Sequence, residues 1–89
     1  MLLIKRKEIT KDKITYYYQP ECKGKEGIIT YFREKEYKEN DPDYEIEIIA
    51  ENDFGADYES SPYRAHTIYA LRDFHRKGDF PEEKFIAWG

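Results

Sequence analysis

The chain has 89 residues, which suits a single domain, residues 1–89, and lies well below the length at which chains divide into several. Charged side chains make up 38% of the sequence and the net charge is −4, so general affinity for nucleic acid, which needs a basic face, is not expected. No run approaches the roughly 20 apolar residues of a membrane-spanning helix, and the single cysteine cannot form an internal disulfide. These features predict a soluble protein of the reducing cytoplasm, with no membrane partner.

Three strands are predicted in the first third of the chain. Leu2–Ile9 alternates loosely and contains a Lys-Arg-Lys run, which is typical of an edge strand because charges there discourage unwanted pairing. Ile14–Gln19 is a tyrosine-rich strand that Pro20 ends. A connection of hairpin length with two glycines then leads to the third strand, Ile28–Arg33.

The fourth predicted strand, Tyr44–Glu51, shows the clearest alternation of apolar and charged residues. Ile46 and Ile48 lie on the side that is expected to face a helix, while Glu45 and Glu47 lie on the other side. This pattern is typical of a strand that is covered on one face only.

One helix is predicted, from Pro62 to Lys77. Ser61 before Pro62 is a typical start, because the serine hydroxyl can accept an unpaired backbone N–H and proline has none to lose. Basic residues crowd the last turn, and Gly78 supplies the left-handed residue at which helices often end. The apolar face, which is expected to pack on the sheet, comprises Tyr63, Thr67, Ala70, Leu71 and Phe74, with Ile68 on its flank.

A short apolar strand, Lys84–Trp88, completes the pattern, and Phe85 or Trp88 is expected to close one end of the core. The order of elements is β-β-β-β-α-β, and connections of hairpin length imply antiparallel pairing. The sequence therefore predicts an α+β fold, an antiparallel sheet of four to five strands with one helix packed across one face.

The second and third strands carry apolar side chains on both faces, whereas one helix can cover only one face. Successive strand side chains point to opposite sides, so the uncovered side should be polar. The surplus apolar residues Tyr17, Ile29 and Tyr31, with Ile49 beside them, are therefore expected to contact a partner. The sequence predicts a noncatalytic binding or regulatory module that forms a homodimer, or docks another protein, through this aromatic face.

RNA-binding sheets also present aromatic residues, and the tyrosines of these strands could in principle stack bases. Such sheets add a basic surround, which this chain offers only in its first third. The paired βαβ units of the RNA-binding module are also absent from the predicted order. Packing in the core or contact with a protein is therefore the expected role of these tyrosines.

The residues that could carry catalysis do not form a recognisable motif. His66 and His75 lie nine positions apart, on opposite sides of the predicted helix, so they cannot share a metal ion. Cys22 lies in a loop with two lysines nearby, where an incidental surface thiol is the simplest interpretation. An enzyme would need His66, Asp73 and Cys22 to line one pocket, and no catalytic, cofactor or metal site is predicted.

The middle of the chain is strongly acidic. Residues 34–59 hold eleven acidic and two basic side chains, and residues 51–59 gather four carboxylates around Gly55. This loop departs from the EF-hand calcium pattern, because the glycine falls one position early and no helix is predicted before it. A solvated loop is expected there. The charge supports an alternative function, an acidic inhibitor such as a phage or defence factor that imitates nucleic-acid charge.

Overall fold

The computed structural model describes residues 1–21, 26–50 and 62–87. These residues form a five-stranded antiparallel sheet and one helix, which confirms the predicted α+β fold and its order of elements. The strands are β1 (Leu2–Ile9), β2 (Lys13–Pro20), β3 (Gly27–Phe32), β4 (Ile46–Ala50) and β5 (Glu83–Ile86), and the helix is α1 (Pro62–Lys77). The strand order across the open sheet is β4-β3-β2-β1-β5.

β1 is an interior strand, so the prediction that it lies at an edge is wrong. It pairs with β2 along its length and with β5 from Leu2 to Lys5. Its first residues are buried, Leu2 and Ile4 fully so, whereas its charged run extends beyond the last residue paired with β5. The charged run that resembles an edge strand therefore lies toward the C-terminal half of β1, where β2 is the neighbouring strand and the pairing with β5 has ended.

Helix α1 packs on one face of the sheet, which we call the proximal face. Strand pairing places Ile29 opposite Tyr16 and Tyr31 opposite Ile14, and all four side chains are buried there. Burial of each large apolar side chain contributes roughly 1.5–3 kcal/mol to folding. The buried core comprises Leu2, Ile4, Ile14, Tyr16, Tyr18, Ile29, Tyr31, Ile68, Leu71, Phe74 and Phe80, with Ile46 and Ile48 packed against it as predicted.

Helix α1 has the predicted bounds. Ser61, its predicted N-cap, lies outside the described residues. At the other end, Gly78 has a φ of 75° and donates its N–H to the His75 carbonyl at 3.2 Å, while the Asp79 N–H donates to the Phe74 carbonyl at 3.1 Å. These two bonds form a Schellman motif, so Gly78 ends the helix as the sequence predicts. Within the described part of the chain, no helix is long and apolar enough to cross a membrane.

Phe80 closes the core beside the end of α1. It is 5% exposed, and its ring stands edge-on to that of Phe74 with 6.1 Å between the centroids. Phe85 is 58% exposed, so the expectation that it closes the core is wrong. The alternation of β5 places Lys84, not Phe85, on the proximal face, with Nζ 5.6 Å from the Phe74 ring centre. Trp88 lies outside the described residues.

Glu45 connects the loop before β4 to the helix. The predicted alternation places it on the side away from the helix, but β4 begins only at Ile46, so Glu45 precedes the regular strand. Its Oε1 accepts hydrogen bonds from Nε and Nη2 of Arg72 at 2.8 and 2.6 Å, and Nη2 also donates to Asp43 Oδ1 at 2.9 Å. The prediction for Glu45 is wrong because this ion pair holds its buried carboxylate against α1.

Candidate docking face

The sheet face that points away from α1, which we call the distal face, carries the candidate functional site. Alternation from the core residues of each strand assigns its members. They are Leu3 and Lys5 of β1, Lys13, Thr15, Tyr17 and Gln19 of β2, Ile28, Thr30 and Phe32 of β3, Glu47 and Ile49 of β4, and Glu83 and Phe85 of β5; Ile49 follows the core-facing Ile48 and is the residue that the register shift between β3 and β4 leaves without a position opposite it. Within the described residues, no helix or strand packs against this face.

Apolar side chains are exposed on the distal face. Ile49 and Phe85, which belong to the two edge strands, are 53% and 58% exposed. Tyr17 lies directly opposite Ile28, and both are half-buried, as is Phe32. Apolar patches with a charged surround mark contact surfaces on soluble proteins, so the distal face is a candidate docking surface.

The centre of the distal face is shallow and has its polar groups paired. Thr15 and Thr30 lie opposite each other, and their hydroxyls form a hydrogen bond at 2.9 Å. Both short side chains are buried, and the longer Tyr17 and Phe32 flank them on the same face. Each hydroxyl has the other as a hydrogen-bond partner, so the docking of an apolar surface there leaves neither threonine without one.

Charges of both signs surround the apolar residues. Lys5 and Glu83 lie opposite each other in the ladder, and Glu47 is exposed on β4. Nζ of Lys35 lies 4.8 Å from the centre of the Phe32 ring. An apolar centre with a charged rim is the usual anatomy of a protein–protein interface.

The structure separates the four residues that are predicted to contact a partner. Tyr17 and Ile49 lie on the distal face, where their contact with a partner stays a prediction. Ile29 and Tyr31 lie on the proximal face and are 0% and 6% exposed, so the expectation that they share a surface with Tyr17 is wrong. The reason is strand register: Tyr17 pairs with Ile28, and a shift of one residue exchanges the two faces of β3.

Sequence reasoning misses Ile28, Phe32 and Phe85 as members of the distal face. A signal for the register of β3 does exist at Gly27, which lies opposite Tyr18. A side chain at position 27 would collide with the Tyr18 ring, so a glycine that faces a large buried tyrosine marks this pairing.

The candidate catalytic residues form no constellation within the described part of the chain. The Asp73 carboxylate pairs with Arg76 and lies 2.9 Å from Nζ of Lys77, and hydrogen bonds from Lys77 and Arg76 lower the pKa of Asp73. His66 lies two helical turns away from Asp73, and Cys22 is outside the described residues. No group of three or more His, Cys, Asp or Glu side chains at described positions could hold a metal ion. The absence of enzymatic activity stays a prediction.

The acidic segment is partly engaged by the rest of the molecule. Asp43 and Glu45, two of its carboxylates, bind Arg72. Its loop at residues 51–59 lies outside the described residues. The function of an inhibitor that imitates nucleic-acid charge therefore stays a prediction, with two fewer free carboxylates to support it.

Tyr16 has the largest pKa shift among the side chains of the proximal face. Its hydroxyl donates to the Pro81 carbonyl at 2.5 Å and so attaches β2 to the segment that leads into β5. Burial raises the pKa of the Tyr16 phenol to about 12, with Arg6 acting in the opposite direction and Asp79 adding to the rise. A raised pKa fits a structural hydrogen-bond donor that stays neutral.

Comparison of the chain with protein-family models, with curated proteins and with solved structures finds no match. The function is therefore argued from the distal face alone.

Proposed function

We propose that the chain is a noncatalytic binding module that forms a homodimer by docking the distal faces of two copies. The observation that carries the proposal is the exposed apolar surface of Ile49 and Phe85, on a face that no described element covers. The half-buried rings of Tyr17 and Phe32 extend this surface across the inner strands. Tyrosine and phenylalanine are enriched at interfaces because each ring buries a large area at small entropic cost.

The charges of the distal face are complementary to those of a second copy of the same face. Two copies related by a two-fold axis present the same patch to each other, so the patch must complement itself. The distal face carries Lys5 on an inner strand and Glu47 and Glu83 on the two edge strands. Rotation about an axis through the middle of the face can therefore bring basic and acidic side chains together.

The dimensions of the distal face fit a weak dimer. Five strands spaced about 4.8 Å apart and about five residues long cover roughly 24 by 17 Å. Side chains protrude from the sheet, so its accessible surface is larger than this flat area. About 600 Å² of each copy would be buried, near the lower end of ordinary interfaces. Slightly more than half of that area is apolar in a typical interface, which contributes several kcal/mol per copy before the costs of association. We therefore expect the dimer to have a dissociation constant in the micromolar range.

Sedimentation equilibrium from about 10 µM to about 1 mM tests the proposal. The wild-type chain is expected to show a weight-average mass above the 10.8 kDa of the monomer, rising with concentration. Ile49→Lys places an unpaired charge in the interface and is expected to weaken the association at least tenfold.

Tyr69→Lys is the matched control, because Tyr69 is 63% exposed on α1 and lies away from the distal face. It is expected to leave the mass unchanged. A wild-type chain that stays monomeric at the highest concentration contradicts the proposal, as does an Ile49→Lys variant that associates like the Tyr69→Lys control.

A further inference from the structure

The two edges of the sheet differ in how they are protected. β4 forms one edge and β5 the other. At the β4 edge, the Ile46 N–H donates to the Asp43 carbonyl at 2.9 Å. The pairing of β4 with β3 also shifts register between Ile28 and Ile29. Turns and bulges of this kind discourage pairing with another chain, so the β4 edge is a poor template.

The β5 edge has no turn or register shift of this kind among the described residues. β5 pairs with β1 without a register shift, and its other side has no strand neighbour among the described residues. The Arg6 N–H donates to the Glu82 carbonyl at 2.7 Å where this pairing begins. Every second residue of an antiparallel ladder bonds to the same neighbour, so Lys84 also bonds toward β1. The backbone N–H and C=O of Glu83 and Phe85 therefore point away from the sheet.

The side chains of β5 leave this edge accessible. The Lys84 ammonium lies over the Phe74 ring on the proximal face, and Phe85 is exposed on the distal face. No proline or glycine interrupts Glu83–Ile86. β5 is short and carries Glu83 and Lys84, which weaken an edge as a template, but its outward backbone groups and the exposed Phe85 still allow another strand to pair there.

We propose that β5 pairs with β5 of a second copy, antiparallel and about a two-fold axis at Phe85, to form one continuous sheet across two chains. Two registers place the axis at an interior residue of β5, either Lys84 or Phe85. An axis at Phe85 sets the two Phe85 rings opposite each other and sets Lys84 opposite Ile86 of the second copy. An axis at Lys84 sets the two Lys84 side chains opposite each other. Cross-strand aromatic pairs stabilise sheets and like charges destabilise them, so the axis lies at Phe85.

This edge pairing goes beyond the proposed function and does not depend on it. The two-fold axis is perpendicular to the sheet, so both distal faces remain on the same side of the joined sheet. Ile49 lies four strands away from β5, about 19 Å across the sheet. A chain that uses both surfaces assembles into a species larger than a dimer, and a chain that uses one of them stops at a dimer.

Glu83→Pro tests the edge directly. Glu83 is the first residue of β5 and its N–H points outward, so proline there removes one edge donor and keeps the bonds between β5 and β1. Glu83→Ala is the matched control, because it removes the same carboxylate and keeps the N–H. In sedimentation equilibrium in the Ile49→Lys background, where docking of the distal faces is already weakened, we expect Glu83→Pro to weaken the remaining association at least tenfold and Glu83→Ala to leave it near that of Ile49→Lys alone.

Combination with Ile49→Lys separates the two interfaces. If both exist, each single variant leaves a dimer and the double variant is a monomer. The edge proposal is overturned if Glu83→Pro leaves the mass unchanged in both backgrounds, or if Glu83→Ala lowers it as much as Glu83→Pro does. The face proposal fails separately, when Ile49→Lys has no effect. Circular dichroism confirms that each variant is folded.

Crosslinking tests the register and does not depend on whether the proline variant folds. In a Cys22→Ser background, Phe85→Cys places two thiols directly opposite each other across the proposed axis, within disulfide reach. Lys84→Cys, the control, faces Ile86 of the second copy and is expected to stay reduced under the same mild oxidation. Efficient crosslinking of Phe85→Cys alone supports the proposal. Crosslinking of Lys84→Cys alone, or of neither variant, overturns it.

Discussion

The proximal and distal faces come from the same strands and from similar residues, yet they differ in what covers them. β2 and β3 each contribute tyrosine or isoleucine to both faces, but α1 packs only on the proximal one. The proximal face buries Tyr16 and Ile29 completely, while the distal face leaves Ile49 and Phe85 more than half exposed. The comparison shows that a strand with apolar residues on both faces can be buried on either side. The position of the single helix determines which of the two faces becomes the core of the chain.

The polar groups of the two faces support the same distinction. On the proximal side, polar atoms attach elements to one another: the Tyr16 hydroxyl bonds to the Pro81 carbonyl, and Nη1 of Arg6 donates to the Phe80 carbonyl at 2.7 Å. On the distal side, the Thr15 and Thr30 hydroxyls bond to each other across two neighbouring strands. The proximal bonds connect distant parts of the sequence, whereas the distal bond leaves the face free to meet another surface.

The largest expected difference between the faces appears when one aliphatic side chain is truncated on each. Leu71→Ala removes a fully buried side chain of α1 and is expected to lower the free energy of unfolding by about 2–5 kcal/mol, because it leaves a cavity in the core. Ile49→Ala is expected to change it by no more than about 0.5 kcal/mol in dilute solution. Urea denaturation at low protein concentration measures both. Equal losses for the two variants would show that the distal face is covered within the monomer.

The elements of this fold follow from local sequence, whereas the membership of each face depends on strand register. The proline and glycine at the ends of α1 and its apolar stripe are local signals, and the structure reproduces the helix bounds. The two faces of β3 are both apolar, so Ile28 and Ile29 exchange roles if the pairing moves by one residue. That pairing is set by contacts between distant residues, such as Gly27 beneath the Tyr18 ring, which periodicity within one strand does not reveal.

Phe85 of β5 and Phe80 are two further residues whose positions local sequence does not predict. β5 has only four residues, so its alternation is too short to assign Phe85 to a face from sequence. The structure places it by pairing Phe85 with Leu3 of β1. Phe80 lies in the connection between α1 and β5, outside any periodic element, and it is buried because its ring fills the space beside Phe74.

Raising the pH tests the proximal face through Tyr16. The pKa of Tyr16 is about 12 in the folded chain, against about 10 when unfolded, so folding favours the neutral phenol. Its contribution to stability is complete below pH 10 and is lost as the pH rises toward 12. The two-unit difference corresponds to at most about 2.7 kcal/mol. We expect the unfolding free energy of the wild-type chain to fall more steeply between about pH 10 and 11.5 than that of Tyr16→Phe.

The comparison with Tyr16→Phe isolates this phenol, because the lysines and the other tyrosines titrate in both proteins. Ultraviolet absorbance should also show one tyrosine fewer among those that ionise last. Identical alkaline profiles for the two proteins would contradict the assignment of a buried, neutral hydroxyl to the proximal face.

The smallest expected effect concerns the centre of the distal face. Thr15→Val or Thr30→Val alone leaves the other buried hydroxyl without its partner, and each is expected to cost about 1–2 kcal/mol. The double variant replaces both hydroxyls with methyl groups of the same shape, so it is expected to lie within about 1 kcal/mol of wild type. Chemical denaturation of the four proteins at low concentration gives the coupling between the two sites. A surface exposed to water would supply the lost hydrogen bonds and make both single variants nearly neutral. A large coupling free energy between Thr15 and Thr30 would therefore mean that the centre of the distal face is already shielded from water in the monomer. In that case the exposed rim of the face, with Ile49 and Phe85, is the part that loses most water-exposed apolar area when a second copy docks.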